Sequence, residues 1–159
     1  MSEAFTGHSG PTFSFADANL ETIDFMQASY LVGVSGITKY GHGLLRVRNY
    51  YFHVDQAWGI YPKWMSHTEY TTRYIPENKK TEWFQFRIPD ITNPIGALQE
   101  LKRRLKTTYI WTPALNNCVS FAEYIFEAGG SKYTGPNMPS NVRDSLPKLQ
   151  AQNSTPMLH

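Results

Sequence analysis

The 159-residue chain has a single cysteine, Cys118, so it can form no internal disulfide and has no pair of thiols from which a structural zinc site could start. The fold must therefore hold by packing, and folding in a reducing compartment is expected. It also lacks an excess of either charge. Fifteen Lys and Arg against thirteen Asp and Glu leave +2, too little and too scattered for a nucleic-acid footprint or a polybasic membrane patch. No apolar run approaches the ~20 residues of a membrane span. The opening "MSEAFTGHSGPTFSF" has neither a basic n-region nor an apolar stretch of signal-peptide length, so the expectation is a protein made in the cytoplasm without a cleavable signal.

The chain does carry 41% apolar residues and 14% aromatics, enough for the core of one domain over 1–159. Residues 1–20 are rich in Ser, Gly and Thr and read as a loose lead-in that docks through Phe13 and Phe15, and 148–159 read as a loose tail. "ASYLVGVSG" (Ala28 to Gly36), "LLRVR" (Leu44 to Arg48), "NYYFHV" and "EWFQFRI" (Glu82 to Ile88) alternate or are β-branched, predicting a small antiparallel sheet with Phe84, Phe86 and Ile88 on one face.

Helical signals follow. Asn93 as N-cap and Pro94 at the first helical position precede a stripe of Ile95, Leu98, Leu101 and Leu105, and Lys102, Arg103, Arg104 and Lys106 suit the negative end of that helix. A second helix is predicted from about Asn117 to Ala128, with Val119, Phe121, Ala122, Ile125 and Phe126 inward and Gly129 as a left-handed stop. A short turn is expected in "SNVRDSL". The segment Gln56 to Lys80 has two Trp and three Tyr but little period, and reads either as a functional wall or lid or as a loop whose aromatics fill the core edge.

Cys118 sits where unpaired amides and the helix dipole favour an anion, which predicts a thiol pKa lowered from ~8.5 and a backbone amide ready to stabilise an oxyanion. A lone cysteine also reads as a small buried hydrophobe. His42, between two glycines at the head of one strand, and His53, near the far end of the next, become neighbours if the two strands form a tight antiparallel pair. His42 would then take the Cys118 proton while His53 holds His42 in the useful tautomer. Taken singly, each histidine reads as a surface or structural residue before a catalytic one.

The pieces "YIW" (Tyr109 to Trp111), "NNCVSF" (Asn116 to Phe121), "EYIFEAGG", "NMPSNVRD" (Asn137 to Asp144) and "GHGLLRV…YYFH" together resemble the NlpC-type cell-wall peptidases of the papain-like superfamily. In that family the cysteine helix comes first, so the resemblance implies a circularly permuted, α+β, papain-like fold. The permuted order is also similar to lecithin:retinol-acyltransferase-like proteins, whose apolar C-terminal anchor "DSLPKLQAQNSTPMLH" lacks.

The resemblance implies a cysteine peptidase or amidase that hydrolyses an amide of peptidoglycan stem peptides through Cys118, His42 and His53. It implies substrate-binding roles for Tyr109, Trp111 and Asn117, and no metal or other cofactor. A chain with no signal and no wall-binding module points to an antibacterial effector or toxin delivered by a specialised secretion system, to act in the periplasm or a target cell, with an immunity protein as partner. The alternatives are a permuted lipid acyltransferase or thioesterase, a papain-like toxin that deamidates or cleaves a host protein, and a non-catalytic binding domain.

Overall fold

The computed structural model describes residues 4–35, 42–55, 58–78, 82–112 and 117–132. The turn expected in "SNVRDSL", the tail, and the "NMPSNVRD" piece lie outside these residues. The described chain runs β1 (His8–Ser9), a 3-10 turn, α1 (Phe15–Ala18), α2 (Thr22–Gln27), β2 (Ser29–Ser35), β3 (His42–Val47), β4 (Tyr50–His53), β5 (Trp58–Ile60) and β6 (Lys63–Ser66). There follow α3 (His67–Glu69), a π-helical turn (Tyr70–Tyr74), α4 (Ile75–Glu77), β7 (Glu82–Arg87), α5 (Pro94–Leu105), β8 (Tyr109–Ile110) and α6 (Cys118–Ala128). This is an α+β arrangement built on a small antiparallel sheet in the order β1-β6-β4-β3-β2-β7, with β5 and β8 paired apart from it.

Alternation along the strands sorts the sheet into two covered faces. Leu31, Leu45, Val47 and Phe52 point to one face and pack with α5 and α6, together with Phe25, Ile88 and Ile91. Tyr30, Val32, Leu44, Tyr51 and Met65 point to the other and pack against Tyr70 and Tyr74. The aromatic segment from Gln56 to Lys80 is therefore not an aperiodic wall. It supplies β5, strand β6 of the main sheet and the helical layer over the second face, where stacked rings of Tyr51, Tyr70 and Tyr74 fill the core.

Residues 4–20 dock through buried Phe13, as expected, and half-buried Phe15 packs beside it. They also add β1 to the sheet edge, where His8 pairs with Trp64.

In α5, Asn93 accepts from the Gly96 amide as predicted, but the buried stripe is Ala97, Leu101 and Leu105, and Ile95 is 58% exposed. At roughly 100° per residue Ile95 lies about 120° around the helix from Leu101, whereas Ala97 and Leu105 lie within about 40° of it. In α6 every residue predicted inward is buried. Its stop lies one residue later than expected: Gly129 has φ −82° and Gly130 has φ +83°. The Gly130 amide bonds the Glu127 carbonyl and the Ser131 amide bonds the Phe126 carbonyl, which is the Schellman pattern with Gly130 as its left-handed residue.

Strand β3 meets α6 at its first turn. A Cβ added at Gly43 would stand 2.9 Å from Cγ2 of Val119, so only a glycine lets the strand backbone come this close to the helix. Gly43→Ala is expected to cost about 1–3 kcal/mol of unfolding free energy by forcing strand and helix apart. Urea titration of both proteins measures it, and an unchanged midpoint would contradict the close contact.

Candidate functional site

Asn117 sets the start of α6. Its Oδ1 accepts from the amides of Val119 and Ser120 at 3.0 and 3.1 Å, and the Ser120 hydroxyl accepts in return from the Asn117 amide at 3.3 Å. The phenol of Tyr109, buried on β8, donates to the Asn117 carbonyl at 3.1 Å. Both residues thus position the turn that carries Cys118. Trp111 packs half-buried against the same core, and its indole N–H is buried without a hydrogen-bond partner.

Cys118, the first residue of α6, is 2% exposed. Its Sγ accepts the Gly43 amide at 3.3 Å. The thiol pKa is not lowered as its helix position suggested: burial pushes it up to about 11, against the opposing pull of the Gly43, Val119 and Cys118 amides, with the Asp55 charge adding to the rise. Two of the first-turn amides already serve Asn117, and a desolvated sulfur gains less from the remaining dipole than it loses by leaving water. At neutral pH the Cys118 sulfur is therefore a thiol.

The two histidines are brought together. β3 and β4 pair with Leu45 opposite Phe52 and Arg46 opposite Tyr51. Continuing that register puts His42 opposite Asp55, with His53 as its diagonal neighbour on the same face. His42 Nε2 and His53 Nδ1 are 2.8 Å apart, with the rings edge to face. His53 is fully buried, its Nε2 lies 2.6 Å from the carbonyl oxygen of Thr6, and the ring of Tyr74 sits against it at 5.6 Å. Asp55 Oδ1 is 3.7 Å from His53 Nδ1.

These contacts fix the protons. A carbonyl oxygen only accepts, so His53 Nε2 carries a hydrogen and donates it to Thr6. Burial, the largest influence on His53, pushes its pKa down and keeps the ring neutral. Its Nδ1 is then an acceptor, His42 Nε2 must donate to it, and a neutral His42 presents the lone pair of Nδ1 as its basic site. His42 itself is 8% exposed. Its backbone leads directly into the Gly43 amide bonded to Sγ, which puts the His42 Cα within about 6 Å of the sulfur by covalent geometry.

Sequence reasoning missed Thr6, Asp55 and Tyr74. Asp55 had a signal, since His53-x-Asp55 in extended chain places both on one face. The Thr6 contact is a backbone carbonyl and has no side-chain signature. His67 bonds the Tyr51 hydroxyl at 2.9 Å and His8 pairs with Glu69, both away from the cysteine. Among the described residues, His42, His53 and Asp55 form a group able to hold a metal ion. No described helix is long and apolar enough to cross a membrane. Compared with protein-family models, curated proteins and solved structures, the chain gives no match.

The pKa directions have opposite consequences for stability. The lowered His53 pKa contributes stability above the ordinary imidazole value near 6.5, which is lost as pH falls below it and the buried ring must charge. The raised Cys118 pKa contributes stability below pH 9, which is lost as pH rises toward about 11 and is worth on the order of 2–3 kcal/mol. Urea unfolding from pH 4 to 11 should show both limbs, and Cys118→Ala should remove the loss between pH 9 and 10, below the range where the buried Tyr51, Tyr70, Tyr74 and Tyr109 add their own. An equally steep loss between pH 9 and 10 in the variant would contradict the buried thiol.

Proposed function

We propose that the chain is a cysteine hydrolase of permuted, papain-like (NlpC-type) architecture that cleaves an amide in the peptide stem of peptidoglycan. The observation that carries the chemistry is the ordered relay from the Thr6 carbonyl through His53 to His42, which ends beside the strand amide bonded to the Cys118 sulfur. On this reading a neutral His42 with a fixed tautomer would serve as general base for a neutral Cys118 thiol, whose sulfur is bonded to the amide of the residue that follows His42.

In the reaction His42 Nδ1 takes the Cys118 proton as Sγ attacks the substrate carbonyl carbon. The oxyanion develops near the amides at the start of α6, and charge on His42 is spread through the Nε2 hydrogen bond to His53. His42 returns the proton to the leaving amine, a thioester remains on Cys118, and a water activated by His42 hydrolyses it. Because the thiol pKa lies near 11, proton transfer accompanies attack and no standing thiolate is needed. The stem-peptide substrate and the role of an antibacterial effector with an immunity partner rest on the resemblance of "NNCVSF", "EYIFEAGG" and "GHGLLRV" to that peptidase group.

Purified peptidoglycan digested with the protein and analysed by mass spectrometry is expected to show new stem fragments. Cys118→Ala should abolish them, and His42→Ala should slow their release about 10²–10⁴-fold. Unchanged muropeptides with the folded wild-type protein would remove the cell-wall reading, and acyl transfer from a lipid ester to Cys118 in the same preparation would replace it with the lipid alternative. Thiol labelling is a poorer guide, because a buried thiol labels slowly whether or not it is catalytic.

A further inference from the structure

The relay is also a nearly complete ligand set. One donor atom each from His42, His53 and Asp55 lies within 4.8 Å of the others, and Cys118 does not belong to that group. We propose that these three side chains bind a divalent transition ion, Zn²⁺ above all, and that the ion holds the site inactive. The binding half rests on geometry alone, whereas the inhibitory half rests on the hydrolase reading above.

The two imidazole donors are already held in place. The Thr6 carbonyl takes the Nε2 hydrogen of His53 and leaves the Nδ1 lone pair facing His42 and Asp55, the same backbone-carbonyl support that orients metal-bound imidazoles. Two donors ~2.0–2.1 Å from a tetrahedral zinc stand about 3.3 Å apart. The nitrogens at 2.8 Å must therefore open by about 0.5 Å, and the Asp55 oxygen at 3.7 Å from His53 must close by a similar amount.

Two imidazoles with one carboxylate suit zinc, cobalt or nickel and disfavour magnesium and calcium, which take oxygen donors. Both histidines are buried, but the Asp55 side chain is 27% exposed, giving the ion an approach and a water its place as fourth ligand.

Binding changes the proton positions in a definite way. The hydrogen between His42 Nε2 and His53 Nδ1 must go when both nitrogens turn their lone pairs to the ion. His42 gives that proton to solvent and takes one up at Nδ1, so the ring stays neutral as the other tautomer with no net proton released. A ring protonated at Nδ1 cannot accept the Cys118 proton, so the ion would stop catalysis without touching sulfur.

Isothermal titration of the full chain with Zn²⁺ alone is the test. One equivalent is expected to bind in the micromolar range, with the affinity of Cys118→Ser within about threefold of wild type and that of Asp55→Asn weaker by about tenfold or more. Asp55→Asn removes a partly exposed carboxylate and leaves the buried histidines intact, so it is the informative variant if His53→Ala fails to fold. Glu69→Gln, which disturbs the surface His8 pair, should change nothing.

With Co²⁺ in place of zinc, absence of a sulfur-to-metal charge-transfer band is expected. No saturable binding below about 100 μM, or binding lost in Cys118→Ser yet kept in Asp55→Asn, would overturn the site. If zinc binds as expected but muropeptide cleavage by the wild type is not restored by adding and removing a chelator-reversible equivalent, the inhibitory half fails. If there is no cleavage to inhibit, the titration still decides the binding half.

Discussion

The arrangement of the site depends on a hydrogen bond with only one possible direction. The Thr6 oxygen can take a proton and cannot give one, so it determines which nitrogen of His53 is protonated, and through His53 which nitrogen of His42. No carboxylate is needed to set the tautomer, and the 3.7 Å separation of Asp55 from His53 is longer than a hydrogen bond. Thr6 belongs to the segment that carries β1, and its neighbour Phe5 contacts the far end of the helical layer through Glu77 and Asn78. The proton positions on His42 and His53 are therefore tied to the docking of the segment that carries Thr6.

A second constraint acts on the sulfur. Packing β3 onto the first turn of α6 through Gly43 brings an amide to Sγ, but the same packing excludes water. Close approach thus gives the thiol a donor and takes away its solvation, and solvation is the larger effect. The sulfur is therefore held as the neutral thiol. In the proposed hydrolase it would react with the help of the histidines, and the helix dipole would count for less.

Much of this was legible in the chain. Asn93 and Asn117 read correctly as caps because a capping side chain acts on its own neighbours, and His42 and His53 read correctly as a pair because strand spacing is periodic. The failures came where distant chain decides. Ile95 fits a three-to-four spacing locally, yet only the position of Leu101 shows that it faces out. Gln56 to Lys80 looked aperiodic because two short strands, two helical turns and a wide turn succeed one another within it. The Cys118 pKa was misjudged because sequence shows the helix start and not the burial around it.

The wide turn at Tyr70 to Tyr74 has its own meaning. There the Ile75 amide reaches back to the Tyr70 carbonyl, five residues away, so the coil takes in an extra residue where its rings face the sheet. That residue sets the angular phase of everything after it. It lets Tyr70 lie flat on Tyr51 while Tyr74 presents itself to His53. Shortening the segment by one position would turn the later side chains by about 100° and strip the imidazole of its aromatic wall, so its length is under a restraint that its amino-acid identities do not reveal.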